Sequence, residues 1–162
     1  MSKEARYDLK TSPLFLCIEQ NKDASTISDV ISGIGNIDIR DLDGNTPLIR
    51  ACFLGNLPVV KLLHSLGADI NTSNDIGYTA LHFATQERLT HIVKWLLDAG
   101  AKVDSVDNHG NTPLFRAVFE AESNDDPIVN MLIKSGANPL NKNKHGVSPK
   151  DLSETRDIKF DW

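Results

Sequence analysis

DGNTPL stands at residues 43–48 and HGNTPL at residues 109–114, with IGYTAL at residues 76–81 between them. The three copies set Thr46, Thr79 and Thr112 at intervals of 33 residues. A fixed period between about 20 and 50 residues marks stacked supersecondary units, each too small to bury its own apolar face. Aligned on the threonine, full units run over 41–73, 74–106 and 107–142, the last longer by three residues, and partial units flank them over 7–40 and 143–162. All 162 residues are thereby assigned to one domain.

The same devices recur in each unit in the same order. Gly44, Gly77 and Gly110 can supply the positive φ of a tight turn. Thr46, Thr79 and Thr112 can accept from the first helical amides, and Pro47 and Pro113 occupy the first helical position, where an N–H has no partner in any case. A short apolar run follows, such as Leu48, Ala51 and Cys52, then a break at Gly55-Asn56, then a second run carrying Val59, Val60, Leu62 and Leu63. The spacing predicts a helix hairpin per unit. Gly67, Gly100 and Gly136 stand where a C-terminal cap belongs, and GADIN, GAKVD and GANPL are expected to lead out in extended form to the next turn.

This pattern resembles the ankyrin repeat family, whose unit of about 33 residues joins a β-turn to two antiparallel helices and carries a T-P-L-H-x-A signature. The resemblance covers about residues 7–162 and implies an all-α solenoid of about five stacked helix-turn-helix units with β-turn or hairpin fingers. The signature histidine is present only as His82, with Ile49, Phe115 and Phe15 at the equivalent positions, and His82 is expected to be a structural hydrogen-bonder. The ends depart from the pattern. The first unit keeps Ser12-Pro13-Leu14 but has Lys10 in place of the turn glycine, and the last has Lys150 where inner units have Leu48, Leu81 and Leu114. Such polar ends predict capping units and a self-contained array. The DIKFDW tail, with Phe160 and Trp162, is expected either to fold back on the last helix pair or to serve as a docking peptide.

Composition narrows the function. A formal charge of −5, from 22 acidic and 17 basic residues, offers no cationic field for nucleic acid or an anionic membrane and favours a basic protein partner. MSKEARYDLKTS carries charges where a secretory leader needs an apolar run, and no stretch approaches the roughly 18 apolar residues of a membrane span. Cys17 and Cys52 are too few for a disulfide framework or a zinc site, so a cytoplasmic protein is expected. His64, His82, His91, His109 and His145 lack metal-ligand spacing, and no phosphate loop or nucleophile elbow occurs. No catalytic, cofactor or metal site is expected.

The resemblance places a protein partner on the concave face, built from fingertips and the exposed side of each first helix. Carried over by register, the tips are Leu42, Asp43 and Asn45, then Asp75, Ile76 and Tyr78, then Asn108, His109 and Asn111. The helix positions are Phe53 and Leu54, Gln86 and Glu87, Phe119 and Glu120. Phe53 and Phe119 either pack on the next unit or anchor a partner, and Tyr78, at a tip, is read as an anchor. The enlarged loop of the third full unit holds Glu122, Asp125 and Asp126; it is either a solvated acidic loop with no partner or, with Glu120, Asp43, Asp75 and Glu87, part of one negative surface suited to steering a basic partner. Arg50 and Arg116 interrupt that surface, either pairing with these acids or clamping a partner carboxylate.

Three roles fit this reading. The first is a monomeric, stoichiometric inhibitor of an enzyme or toxin, in the manner of an immunity protein. The second is a scaffold that localises a partner without altering its activity. The third is an enzyme or a hydroxylation substrate: ankyrin repeats resembling this one can carry a hydroxylatable asparagine near the GADIN position, here Asn71, although Asp104 and Leu140 replace it in the next units.

Overall fold

The computed structural model describes residues 6–8 and 12–162. The Lys10 position lies outside the described residues. Nine helices are present among the described residues: α1 (Pro13–Glu19), α2 (Ala24–Ile34), α3 (Pro47–Phe53), α4 (Leu57–Ser65), α5 (Ala80–Gln86), α6 (Thr90–Asp98), α7 (Pro113–Glu120), α8 (Pro127–Lys134) and α9 (Pro149–Thr155). Helices α1, α3, α5, α7 and α9 pack successively in a row, and α2, α4, α6 and α8 each pack behind the first helix of their own pair. The all-α solenoid follows directly from this order.

Three first helices, α3, α7 and α9, begin with the side-chain cap and the proline that their sequence predicts. Thr46 Oγ1 accepts from the amide of Ile49 at 3.3 Å, Thr112 Oγ1 from Phe115 at 3.2 Å and Ser148 Oγ from Asp151 at 3.1 Å, each followed by a proline in the first turn. Nine residues after each cap the chain turns through a left-handed conformation, at Asn21, Gly55, Arg88 and Asp157. The third full unit breaks that rule. Its equivalent residue, Ala121, is extended at φ −65° and ψ 137°, because the three extra residues replace the tight turn with a longer loop.

The core runs continuously through the stack from Leu14 and Phe15, through Leu48, Leu81 and Leu114, to Leu132 and Phe160. Phe160 is 8% exposed and joins it, whereas Trp162, 37% exposed, packs edge-on against Phe160 at 5.4 Å. The tail therefore folds back. Arg156 reinforces the fold-back by donating to the carbonyls of Val118 and Phe119 at the end of α7.

Extended structure is scarcer than expected. Among the described residues it consists of a two-residue parallel pair, β1 (Arg6–Tyr7) with β2 (Arg40–Asp41), and an isolated bridge between Ser73 and Thr79. Residues 67–72, which include GADIN, mainly turn. Side chains do the work that a strand ladder would do: Asp38 accepts from the amide of Asp69, Asn71 from Lys102 and Asp104 from Asn138, so each unit receives an amide of the next.

Candidate functional site

Each finger is built on an aspartate or an asparagine at one register position. Asp41, Asn74, Asp107 and Asn143 each use Oδ1 to accept two backbone amides, two and four residues onward, while their own N–H and C=O close the turn. A short polar side chain bonding the backbone just ahead is what fixes such turns. The fingers then bond to one another through the backbone: Asp75 N–H donates to Asp43, Asn108 N–H to Ile76 and Lys144 N–H to His109. At Gly77 this stacking leaves no room: a Cβ would stand 2.8 Å from the backbone nitrogen of Asn108.

Four of the expected contact residues belong to this framework. Asn45 and Asn111, each 6% exposed, donate from their side chains to Asp41 and Asp107 and accept from the side chains of Asn74 and Asn143. Tyr78 is 7% exposed: its ring stacks on His82 at 5.3 Å, meets Phe83 edge-on at 5.1 Å and lies under the Arg116 guanidinium at 5.3 Å. Asp126, 3% exposed, caps α8 and forms a two-pronged pair with Arg88. Their expected place on the exposed face is corrected, because buried polar groups need partners and these find them within the chain.

The remaining expected residues are exposed or half-buried. Leu42, Asp43, Phe53, Leu54, Asp75, Ile76, Glu87, Asn108, His109, Phe119, Glu120, Glu122 and Asp125 are exposed, and Gln86 is half-buried beneath the hydroxyl of Tyr78, which donates to it at 3.2 Å. Leu42, Ile76 and Phe53, at 65%, 53% and 42% exposure, flank a groove of about 430 Å³ whose floor is Ile49 and Phe83. Phe53 packs on the next unit and also stays partly open to solvent. Its edge packs on Phe83 at 5.9 Å while two fifths of it stays open.

Sequence reasoning missed Phe83 and Ile49 as groove residues. A signal for Phe83 exists: it holds the register position that the neighbouring units give to Arg50 and Arg116. Those arginines pair with acids other than the expected ones. Arg50 pairs with Glu19 and lies 5.1 Å over the Phe53 ring, and Arg116 pairs with Asp107 at 2.9 Å. Asp75 pairs with Arg6 at 2.7 Å, whereas Asp43, Glu87, Glu120 and Glu122 have no ion pair among the described residues. Of the seven acids expected to share one surface, Asp126 is withdrawn by burial and by its pairing with Arg88.

Burial pushes the Asp107 carboxyl up, yet hydrogen bonds from Asn111, Arg116 and His109 outweigh this and hold it below the usual range. Burial pushes the Cys52 thiol far up, as befits a small core residue. Among the described residues no cluster of three or more potential metal ligands occurs, and no helix is long and apolar enough to cross a membrane.

Family models for ankyrin repeats match residues 34–84 and 64–143 of this chain. The chain is 31% identical over 128 residues to the probable 26S proteasome regulatory subunit p28 of Saccharomyces cerevisiae, covering 75% of this chain and 55% of that protein. It is 36% identical over 112 residues to the ankyrin repeat and SAM domain-containing protein 6 of Rattus norvegicus, covering 68% and 12% respectively. It is 31% identical over 121 residues to serine/threonine-protein kinase 12 of Arabidopsis thaliana, covering 75% and 24%. The chain thus spans between 12% and 55% of the length of these relatives.

Proposed function

This chain belongs to the ankyrin repeat family, a family of protein–protein interaction modules, and on that premise we propose that it holds one protein partner non-catalytically on its concave face. The observation that carries this reading is the set of large apolar side chains left open there: Leu42, Phe53, Ile76 and Phe119 are between 42% and 65% exposed on the side where fingertips and first helices converge. Contiguous apolar surface on a soluble fold marks a contact site, and a few aromatic or aliphatic anchors usually dominate its energy. The unpaired carboxylates around it favour a partner with a basic surface. Two unpaired thiols, one of them buried, suit the reducing cytoplasm.

The finer role is that of a stoichiometric inhibitor or immunity protein bound to an enzyme or toxin. A scaffolding role is the second reading. It draws on relatives named as a kinase and a proteasome regulatory subunit, in which the matching repeats fill only part of the chain.

The test is affinity capture on the wild type and on a folded Phe53→Ala, Ile76→Ala, Phe119→Ala triple variant, followed by assay of the captured protein. A stoichiometric partner lost on the variant supports the concave face, and capture that survives on the variant refutes it. Loss of the partner's activity on binding selects the inhibitor; retained activity selects the scaffold.

A further inference from the structure

We propose that the groove between Leu42 and Ile76 receives a basic apolar segment of the partner: one bulky aliphatic or aromatic side chain between the two fingertips, with a lysine or arginine beside it facing Asp43. This inference rests on the concave-face reading and specifies the chemistry of what that face takes.

Three observations carry it. The first is the shape and lining of the groove. Its floor of Ile49 and Phe83 and its walls of Leu42, Ile76 and Phe53 enclose about 430 Å³, within the range of pockets that seat a side chain or small ligand. The second is confinement. Leu42 lies four residues before its unit's threonine and Ile76 three before, so the apolar residue shifts by one position and yet both flank the same groove. The two following fingers carry Asn108 and His109, then Lys144 and His145, so the tips turn polar beyond the groove in that direction.

The third is charge. Arg50, which lines the groove, pairs with Glu19, and Arg6 pairs with the lining carboxylate Asp75, whereas the lining carboxylate Asp43 has no ion pair among the described residues. Further along the same face Glu87 and Glu120 are exposed and unpaired among the described residues. A cation beside the apolar anchor gains from this arrangement, and an acidic residue there meets like charge.

The experiment selects a displayed library of random dodecapeptides on the immobilised full chain. Anisotropy then measures the enriched peptides on the wild type and on Ile76→Ala, Asp43→Lys and Phe119→Ala, each checked by thermal melt. The expected peptides place a bulky apolar residue next to lysine or arginine. Ile76→Ala weakens them about tenfold, and Asp43→Lys weakens them about threefold and flattens their salt dependence. Acidic enriched peptides, or no enrichment, overturn the inference. Peptides lost on Phe119→Ala but indifferent to Ile76→Ala overturn it while the concave-face reading stands. Peptides indifferent to all three variants overturn both.

Discussion

The imidazole of His82 joins two units of the stack: Nε2–H donates to the backbone carbonyl of Asn111 at 3.1 Å, while Nδ1 accepts the amide N–H of Thr79 at 3.2 Å. A carbonyl can only accept, so Nε2 carries the proton and Nδ1 is left free to close the capping box of α5. The ring is wholly buried, and that burial lowers its pKa from 6.5 to about 4.

Stability should therefore fall between pH 6.5 and pH 4. In that window the unfolded chain binds a proton at His82 that the folded chain refuses, so the stabilisation is full above 6.5 and is lost progressively towards 4, by about 3 kcal/mol in all. Asp38, whose carboxyl burial pushes up, acts in the opposite sense at the acidic end, and the depressed Asp107 and Asp151 weaken the fold only as pH falls through their own lower values. Urea unfolding at pH 7 and pH 5 in wild type and His82→Gln checks this, with a shallower pH dependence expected in the variant.

Gly77→Ala should cost about 3 kcal/mol, combining a left-handed backbone with a Cβ driven into the next finger. The backbone there has φ +83°, and the added carbon would stand 2.8 Å from Asp107 Cα. Gly67→Ala, at φ +98° but with open space around the new carbon, isolates the backbone contribution and should cost about 1 kcal/mol. Equal losses in the two denaturation midpoints would mean that finger stacking is not tight.

Asp126→Ala removes both the cap of α8 and the carboxylate that Arg88 holds. A loss of about 2 kcal/mol is expected, because the cap is worth about 1 and the stranded guanidinium keeps part of its solvent. Asp126→Asn keeps a capping oxygen and should lose about half as much. Chemical denaturation of the two variants separates cap from charge.

Tyr78→Ala should cost about 3 kcal/mol, since the ring lies against His82, Phe83 and Arg116, whereas Tyr78→Phe, which loses only the hydroxyl contact to Gln86, should cost less than about 1. Phe53→Ala and Phe119→Ala should cost about 1 kcal/mol or less in the free protein. Thermal melts that reversed this order would restore Tyr78 to the surface.

The period of 33 residues, the threonine and serine caps, the prolines after them and the second-helix runs made the helix pairs and their stacking order legible in advance. These are local signals: a cap acts within one turn, and an apolar stripe declares that something must cover it. Part of the candidate site was legible in the same way: register marked Leu42, Phe53, Ile76 and Phe119 as positions of the expected face, and all four are exposed.

Which residues on that face are free was decided only by the tertiary structure. Tyr78, Asn45, Asn111 and Asp126 share composition and register with true surface residues, yet each is closed off by a residue from elsewhere: Arg116 over Tyr78, Asn74 on Asn45, Asn143 on Asn111 and Arg88 on Asp126. The neutralisation of Arg50 by Glu19, 31 residues away, is of the same kind. The repeat fixes where each side chain starts, but its exposure and its charge are settled by the neighbouring unit, because burial and pairing are properties of contacts across the stack.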